Sequence, residues 1–206
     1  MMGMPIKTCV RLLVIGALCV PFSLVMTACQ IPTPYARMTY TPVQVKDARA
    51  VTATPINVTR FFDMRGEKTG LMTPESRKRK VAGILCNEDL GNWVTNATLK
   101  ELQARGYSAK AANAVDAQSG EYVIGGSVHM VEYERGGRGF YFKVLLDVNL
   151  TRDSVVILHR QYFNSVKGKP TLPGTPKSFE KGLRKALGDM IADVEPLLTR
   201  YEGKQT

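Results

Sequence analysis

From Glu121 to Phe163, apolar and polar residues exchange places at almost every position. Tyr122, Ile124, Gly126, Val128 and Met130 fall on one side of an extended chain, and Val123, Gly125, Ser127, His129 and Val131 on the other. A period of two marks a strand, so Glu121–Tyr133 is predicted as one. Arg135-Gly136-Gly137-Arg138-Gly139 is a glycine-rich turn. Beyond it Phe140, Phe142, Val144, Leu146, Val148 and Leu150 alternate against Tyr141, Lys143, Asp147 and Asn149, with Leu145 the one apolar residue on the outer side. Thr151-Arg152-Asp153-Ser154 forms a second turn, and Val155 to Phe163 a further strand. Three consecutive strands joined by tight turns make an antiparallel meander.

Two other segments carry the helical period. Leu90, Trp93, Val94, Ala97 and Leu102 share a face between Glu88 and Arg105, and Gly106 stands where a helix C-terminus accepts positive φ. After a Gly/Pro loop from Lys167 to Pro176, Thr175-Pro176 is predicted to cap and begin a second helix. Its apolar residues, Phe179, Leu183, Leu187, Met190, Ile191, Val194, Leu197 and Leu198, fall within roughly 140° of a helical wheel, while Lys181, Arg184 and Lys185 face away. Gly182 and Gly188 each cost that helix about 1 kcal/mol in propensity, so packing on the sheet must supply its stability.

Upstream, Ile56–Phe62 is rich in β-formers and predicts a strand. Val81–Leu85 predicts a second short strand, and Val43–Lys46 a short one before both. The order strand, helix, three-strand meander, helix fits an α+β fold. One mostly antiparallel sheet with two helices packed on one face buries every apolar stripe.

The head of the chain has a different pattern. Residues 1–28 hold Lys7 and Arg11 and no acidic residue, then an apolar run from Leu12 to Val25, then Thr27 and Ala28. Those are the charged region, apolar core and cleavage site of a secretory signal. The run is broken by Pro21 and is shorter than the roughly 20 residues of a membrane-spanning helix. Leu24-Val25-Met26-Thr27-Ala28-Cys29 resembles the lipobox of bacterial lipoproteins, with Met26 where Leu is commoner. The resemblance implies diacylglycerol and a further acyl chain, such as palmitate, on Cys29. It also implies that Gln30, rather than a retaining Asp, directs the protein to the outer membrane, facing the periplasm. One acyl chain holds a protein only marginally, whereas three make a lasting anchor.

The segments are then a signal peptide (1–28), a lipidated tether with Pro32, Pro34 and Pro42 (29–53), a periplasmic α/β domain (54–200) and a polar tail (201–206). Prolines so spaced favour an extended spacer. Cleavage leaves 178 of the 206 residues, about one domain, and lowers the formal charge from +10 to +8 because Lys7 and Arg11 depart. A basic domain in that compartment would be drawn to anionic lipid, lipopolysaccharide or acidic envelope proteins; nucleic acid is not an expected partner.

Candidate chemistry is sparse. Cys9 and Cys19 leave with the signal and Cys29 is consumed by lipid, so Cys86 remains, after the apolar Ile84 and Leu85, which predict a buried, unreactive thiol. His129 and His159, the only histidines, stand on separate strands without ligand spacing for a metal. Ser127 shares a face with His129 but lacks an orienting acid and a nucleophile elbow. Neither Gly125-Gly126 nor the Gly136–Gly139 turn leads into a helix, so no phosphate loop is predicted. Arg77-Lys78-Arg79-Lys80 is the densest charge and a candidate contact for lipid head groups or an acidic partner. Asp63 and Arg65 are positioned to pair across a turn and are a second candidate for partner contact.

The whole layout resembles the YajG-type uncharacterised lipoproteins over roughly Ile56 to Leu198. The match rests on the lipobox, on a strand ending Asp63-Met64-Arg65 with Gly70 after it, and on Glu101-Leu102-Gln103-Ala104-Arg105-Gly106-Tyr107 at a helix end. The meander and the terminal amphipathic helix complete it. The resemblance implies an outer-membrane lipoprotein without known enzymatic activity and brings no catalytic residue; with no metal or cofactor expected, the leading reading is a non-enzymatic domain that binds another envelope component. The alternative is an auxiliary lipoprotein subunit of a lipid-transporting ABC complex, or an accessory of a cell-wall synthase.

Overall fold

The computed structural model describes residues 36–44, 54–66, 71, 86, 88–113, 118–169 and 174–202. The chain separates into two compact units, Met1–Pro32 and Thr33–Thr206, and every described residue belongs to the second. In chain order the elements are β1 (Ile56–Val58), β2 (Phe62–Asp63), α1 (Leu90–Ala104), β3 (Ala109–Ala111), β4 (Tyr122–Gly136), β5 (Gly139–Arg152), β6 (Val155–Gly168) and α2 (Gly174–Glu202). They form an α+β fold with one open mixed sheet in the order β3-β1-β4-β5-β6, and β2 pairs with β4 beside β1.

The meander is antiparallel throughout. The short strands add a feature that alternation does not reveal, because β1 lies parallel to both β3 and β4 and β2 lies parallel to β4. Parallel neighbours need a crossover, and α1 supplies it between β1 and β3. Ala109–Ala111, too short and too small for a period-two signal, escapes the sequence reading for that reason. The strand expected over Ile56–Phe62 is interrupted between Val58 and Phe62, where Phe61 turns fully inward and its N–H donates to Thr95 Oγ1 at 2.9 Å. Val43 and Gln44 belong to no strand. The other half of that expected strand and the one over Val81–Leu85 lie outside the described residues.

The alternation of β4 reverses partway. Val128 pairs with Leu146 but Met130 with Leu145, so His129 is an extra residue in the ladder. A bulge exchanges the two faces beyond it. Tyr122, Ile124 and Val128 enter the core before the bulge, and Val131 and Tyr133 after it, so Met130 leaves the face predicted for it and joins Leu145 on the helix-free side. The two glycines ahead of the bulge are packing residues. A Cβ on Gly125 would meet Thr59 Oγ1 at 2.1 Å, and one on Gly126 would meet the Asp147 carbonyl oxygen at 1.9 Å and the Phe61 ring at 3.1 Å.

Both helices cover one face. Asp89 caps α1 by accepting the Asn92 N–H at 3.1 Å, and Gly106 ends it at φ 87°. Gly91 lets the first turn of α1 lie against the Phe61 carbonyl oxygen, which a Cβ would approach to 2.2 Å. In α2, Phe179, Leu183, Leu187, Met190, Ile191, Val194 and Leu198 are buried as the wheel predicts. Its start differs, because the helix already includes Gly174, and Thr175 is fully buried with its Oγ1 unpartnered among the described residues rather than acting as a cap.

The segment expected to be a free tether is in part a strap. Ala36, Met38 and Tyr40 are buried while Arg37 and Thr39 point out. The backbone is extended without belonging to the sheet, and three apolar side chains give it a surface to bury. The folded unit therefore reaches back at least to Ala36.

Candidate functional site

The strap is held by groups from both helices. Glu88, Glu180 and Glu101 accept the backbone N–H groups of Met38 (2.7 Å), Thr41 (2.7 Å) and Val43 (3.2 Å). Trp93 Nε1 donates to the Thr39 carbonyl at 3.0 Å and Arg184 Nη2 to that of Thr41 at 2.7 Å. At the centre, the Tyr40 hydroxyl donates to the fully buried Glu101 carboxylate at 2.7 Å, which Arg105 neutralises at 3.2 Å. Burial and the neighbouring Glu101 push the Tyr40 phenol well above its ordinary pKa, so it stays a donor. A strap satisfied by charged acceptors along its length is a fixed part of the fold, since hydrogen bonds to charged groups are about twice as strong as neutral ones. Beside it lies a groove of about 720 Å³, walled by the strap and by Asn92, Asn96 and Lys100 of α1.

Asp63 and Arg65 do pair. Arg65 Nε and Nη2 donate to the two carboxylate oxygens at 3.0 and 2.9 Å, and the Arg65 N–H adds a third bond at 3.2 Å. The Arg65 side chain is only 2% exposed, so this fork staples the chain leaving β2 from within the fold. Leu71 follows, fully buried, its carbonyl accepting from the Tyr133 N–H at 2.6 Å. The basic run Arg77, Lys78, Arg79 and Lys80 and the acceptor Cys29 lie outside the described residues.

The two ends of the meander differ in how their charged groups are used. At one end Glu121 accepts from Asn57 Nδ2 (2.7 Å), the Gln118 N–H (2.9 Å) and Lys110 Nζ (2.9 Å). Those bonds, the Gln118 amide foremost, lower its pKa from 4.5 to about 2. Asp153 beside it accepts from the Gly120 N–H (2.7 Å) and Ser119 Oγ (3.1 Å), which lower its pKa as well. Asp153 and Ser154 both hold positive φ, 50° and 63°, the backbone of a type I′ hairpin. At the other end the β4–β5 turn and the end of β6 carry Arg135, Arg138, Lys167 and Lys169, all exposed. Tyr141 pairs with Lys167 and Phe140 with Gly168, so the three strand ends finish together. The start of α2 is pressed against them, because a Cβ on Gly168 would meet Ser178 Oγ at 2.5 Å. Lys177 and Lys181 are thereby added to the same end, also exposed.

This cationic end was not singled out in the sequence, where its residues lie in three separate segments that only the strand register brings together. The available signal was along α2, where Lys177, Lys181, Arg184 and Lys185 lie in the first half, with Glu180 among them, and Asp189, Asp193 and Glu195 lie in the second. Two of those acids bind β6: Asp193 accepts from Arg160 and from the Tyr162 hydroxyl, each at 2.9 Å, and Asp189 from Asn164 at 3.1 Å.

The remaining reactive types sit in ordinary surroundings. Ser127 Oγ and His129 Nε2 are 2.9 Å apart on the helix-free face, with no carboxylate bonded to His129 among the described residues. His159 Nε2 meets Asp147 Oδ1 at 2.8 Å, exposed on the same face. Cys86 is a buried free thiol whose pKa burial pushes up. Among the described residues no three His, Cys, Asp or Glu side chains cluster as metal ligands, and no helix is long and apolar enough to cross a membrane.

Comparison with known structures places this architecture. The fold is similar to that of protein XCC0632 from Xanthomonas campestris, of family DUF330, at a TM-score of 0.60 and 14% identity over 84% of this chain and 98% of that one. It is also similar to a second uncharacterised protein, at a TM-score of 0.55 and 13% identity over 79% of this chain and 98% of the other. At such identities the likeness is one of fold alone. No protein-family model matches the sequence, and no curated protein does.

Proposed function

We propose that the chain is a non-enzymatic lipoprotein of the YajG type, lipidated on Cys29 at the periplasmic face of the outer membrane, whose domain binds another component of the envelope. The observation that carries this is the spacing between acceptor and strap. Leu24-Val25-Met26-Thr27-Ala28-Cys29 is followed by seven peptide steps and then by Ala36, the first described residue of the clamped segment. Seven extended residues reach at most about 25 Å, so a lipid on Cys29 would keep the folded domain close to the bilayer instead of at the end of a long tether. A strap fixed by Glu88, Glu101 and Glu180 makes that short reach a property of the fold.

The test is metabolic labelling with a palmitate analogue followed by density separation of the membranes. Label on the wild type, none on Cys29→Ala, and recovery in the outer-membrane fraction are expected; an unlabelled wild type refutes the reading. The strap is tested by Tyr40→Phe, which removes a buried hydrogen bond to a charged acceptor. A loss of about 2 kcal/mol in urea unfolding is expected, with earlier proteolytic cleavage between residues 36 and 44.

A further inference from the structure

We propose that the cationic end of the sheet docks the domain onto the phosphates of an anionic phospholipid surface. This rests on the envelope-lipoprotein reading and adds the face presented to the bilayer. Arg138, Lys167, Lys169, Lys177 and Lys181 are exposed and have no carboxylate partner among the described residues, and Arg135 stands beside them. Neighbouring strands lie about 4.8 Å apart, so the strand-end cations form a compact row, with Lys177 and Lys181 one helical turn apart next to it.

Two features separate this array from ordinary surface charge. The first is its position on α2. Cations at a helix N-terminus and acids toward its C-terminus oppose the helix dipole, whose positive end is at the N-terminus. Lys177, in the first turn of α2, is placed against the helix's own stability. The second is shape. The cations lie outside the groove at the strap and the cavity beside Glu121 and Asp153, which are lined by other residues. Side chains displayed across strand ends and a helix face match an extended field of phosphates.

The full chain carrying Cys29→Ala, which has no acyl anchor, is co-sedimented with phosphatidylcholine vesicles and with mixed phosphatidylglycerol–phosphatidylcholine vesicles. The ratio of the two partition constants removes any contribution common to both lipids. Each cation near an anionic surface is worth about a fivefold gain in binding. The triple variant Arg138→Gln, Lys167→Gln, Lys169→Gln should therefore lose about a hundredfold in that ratio. A charge-matched control, Arg37→Gln, Lys100→Gln, Arg200→Gln, should lose little, with thermal melts confirming that both variants fold.

Equal losses in the two triples would assign the attraction to net charge and overturn the proposal. No preference for phosphatidylglycerol would overturn it too, as would attachment that appears only when an acidic envelope protein is reconstituted in the vesicles. Palmitate labelling reports lipidation separately, so failure of the docking surface and failure of the anchor are told apart.

Discussion

Where β4 begins, Glu121 gathers an amide, a backbone N–H and a lysine, and Asp153 fastens the neighbouring turn. At the opposite end, the tip of the β4–β5 hairpin and the close of β6 hold Arg138, Lys167 and Lys169 exposed to solvent. One end spends its charge on internal hydrogen bonds. The other leaves it outward, where a surface ion contributes little to folding and much to long-range attraction. The same sheet therefore has an end specialised for stability and an end available for contact.

The largest expected difference is in the packing beneath each end. Tyr122 is fully buried, stacked 5.0 Å from the Arg152 guanidinium, and its hydroxyl accepts from Arg152 at 3.0 Å. Tyr122→Ala should cost about 4 kcal/mol in urea unfolding. At the tip, Phe140 is only partly buried, against Tyr133 at 6.1 Å, and Phe140→Ala should cost about 1 kcal/mol. Equal losses would abolish the contrast between the two ends.

Acid separates them next. The folded pKa of Glu121 lies near 2, below its ordinary 4.5. Its contribution is thus complete above about pH 4.5 and lost as the pH falls toward 2. Asp153, lowered for the same kind of reason, acts in the same direction. Glu121→Gln should lower the melting temperature at neutral pH, and its gap from the wild type should close across that acid window. Arg138→Gln should leave the acid limb unchanged, and a gap for Glu121→Gln that stays constant with pH would show that the carboxylate charge is irrelevant there.

How much of this was legible in the sequence follows from the range of each signal. The meander and both helices were, because period two and period 3.6 are local and their apolar faces are long. The bulge at His129 was not read, although Val131 and Tyr133 carry large apolar side chains on the parity opposite to Tyr122, Ile124 and Val128. The parallel pairing of β1 with β3 and β4 was not, because three-residue strands have too few positions to show a period. The strap was hidden by Pro42 and the prolines ahead of it in the sequence, which mark an extended backbone whether it is free or bound. Asp63 and Arg65 could be paired from their spacing, but their burial could not be read. The cationic end needed the register of three strands and the seat of a helix, none of which is local.

The two glycines of α2 sharpen the comparison more gently. Gly182 lies over Val144 and Val166 toward the tip, where a Cβ would sit 3.4 and 3.8 Å from their methyl groups. Gly188 lies nearer the other end, with Arg105 Nη2 at 3.8 Å. Both distances are ordinary contacts, so neither glycine is required for close approach. Gly182→Ala and Gly188→Ala should each stabilise by up to about 1 kcal/mol through helix propensity. A loss at Gly182 alone would mean that the tip end is packed more tightly than its open charge suggests.

The smallest effect bears most directly on why the cationic end exists. Lys177 stands in the first turn of α2, where the helix dipole favours an acid. If its charge served folding, reversing it would destabilise the protein. If it is kept for an external phosphate, Lys177→Glu should stabilise the helix by about 0.5 kcal/mol while weakening attachment to phosphatidylglycerol vesicles. Melting temperature and vesicle partition measured on that one variant should move in opposite directions. A fall in both would place Lys177 in the service of the fold, and the distinction between an end for stability and an end for contact would not extend to α2.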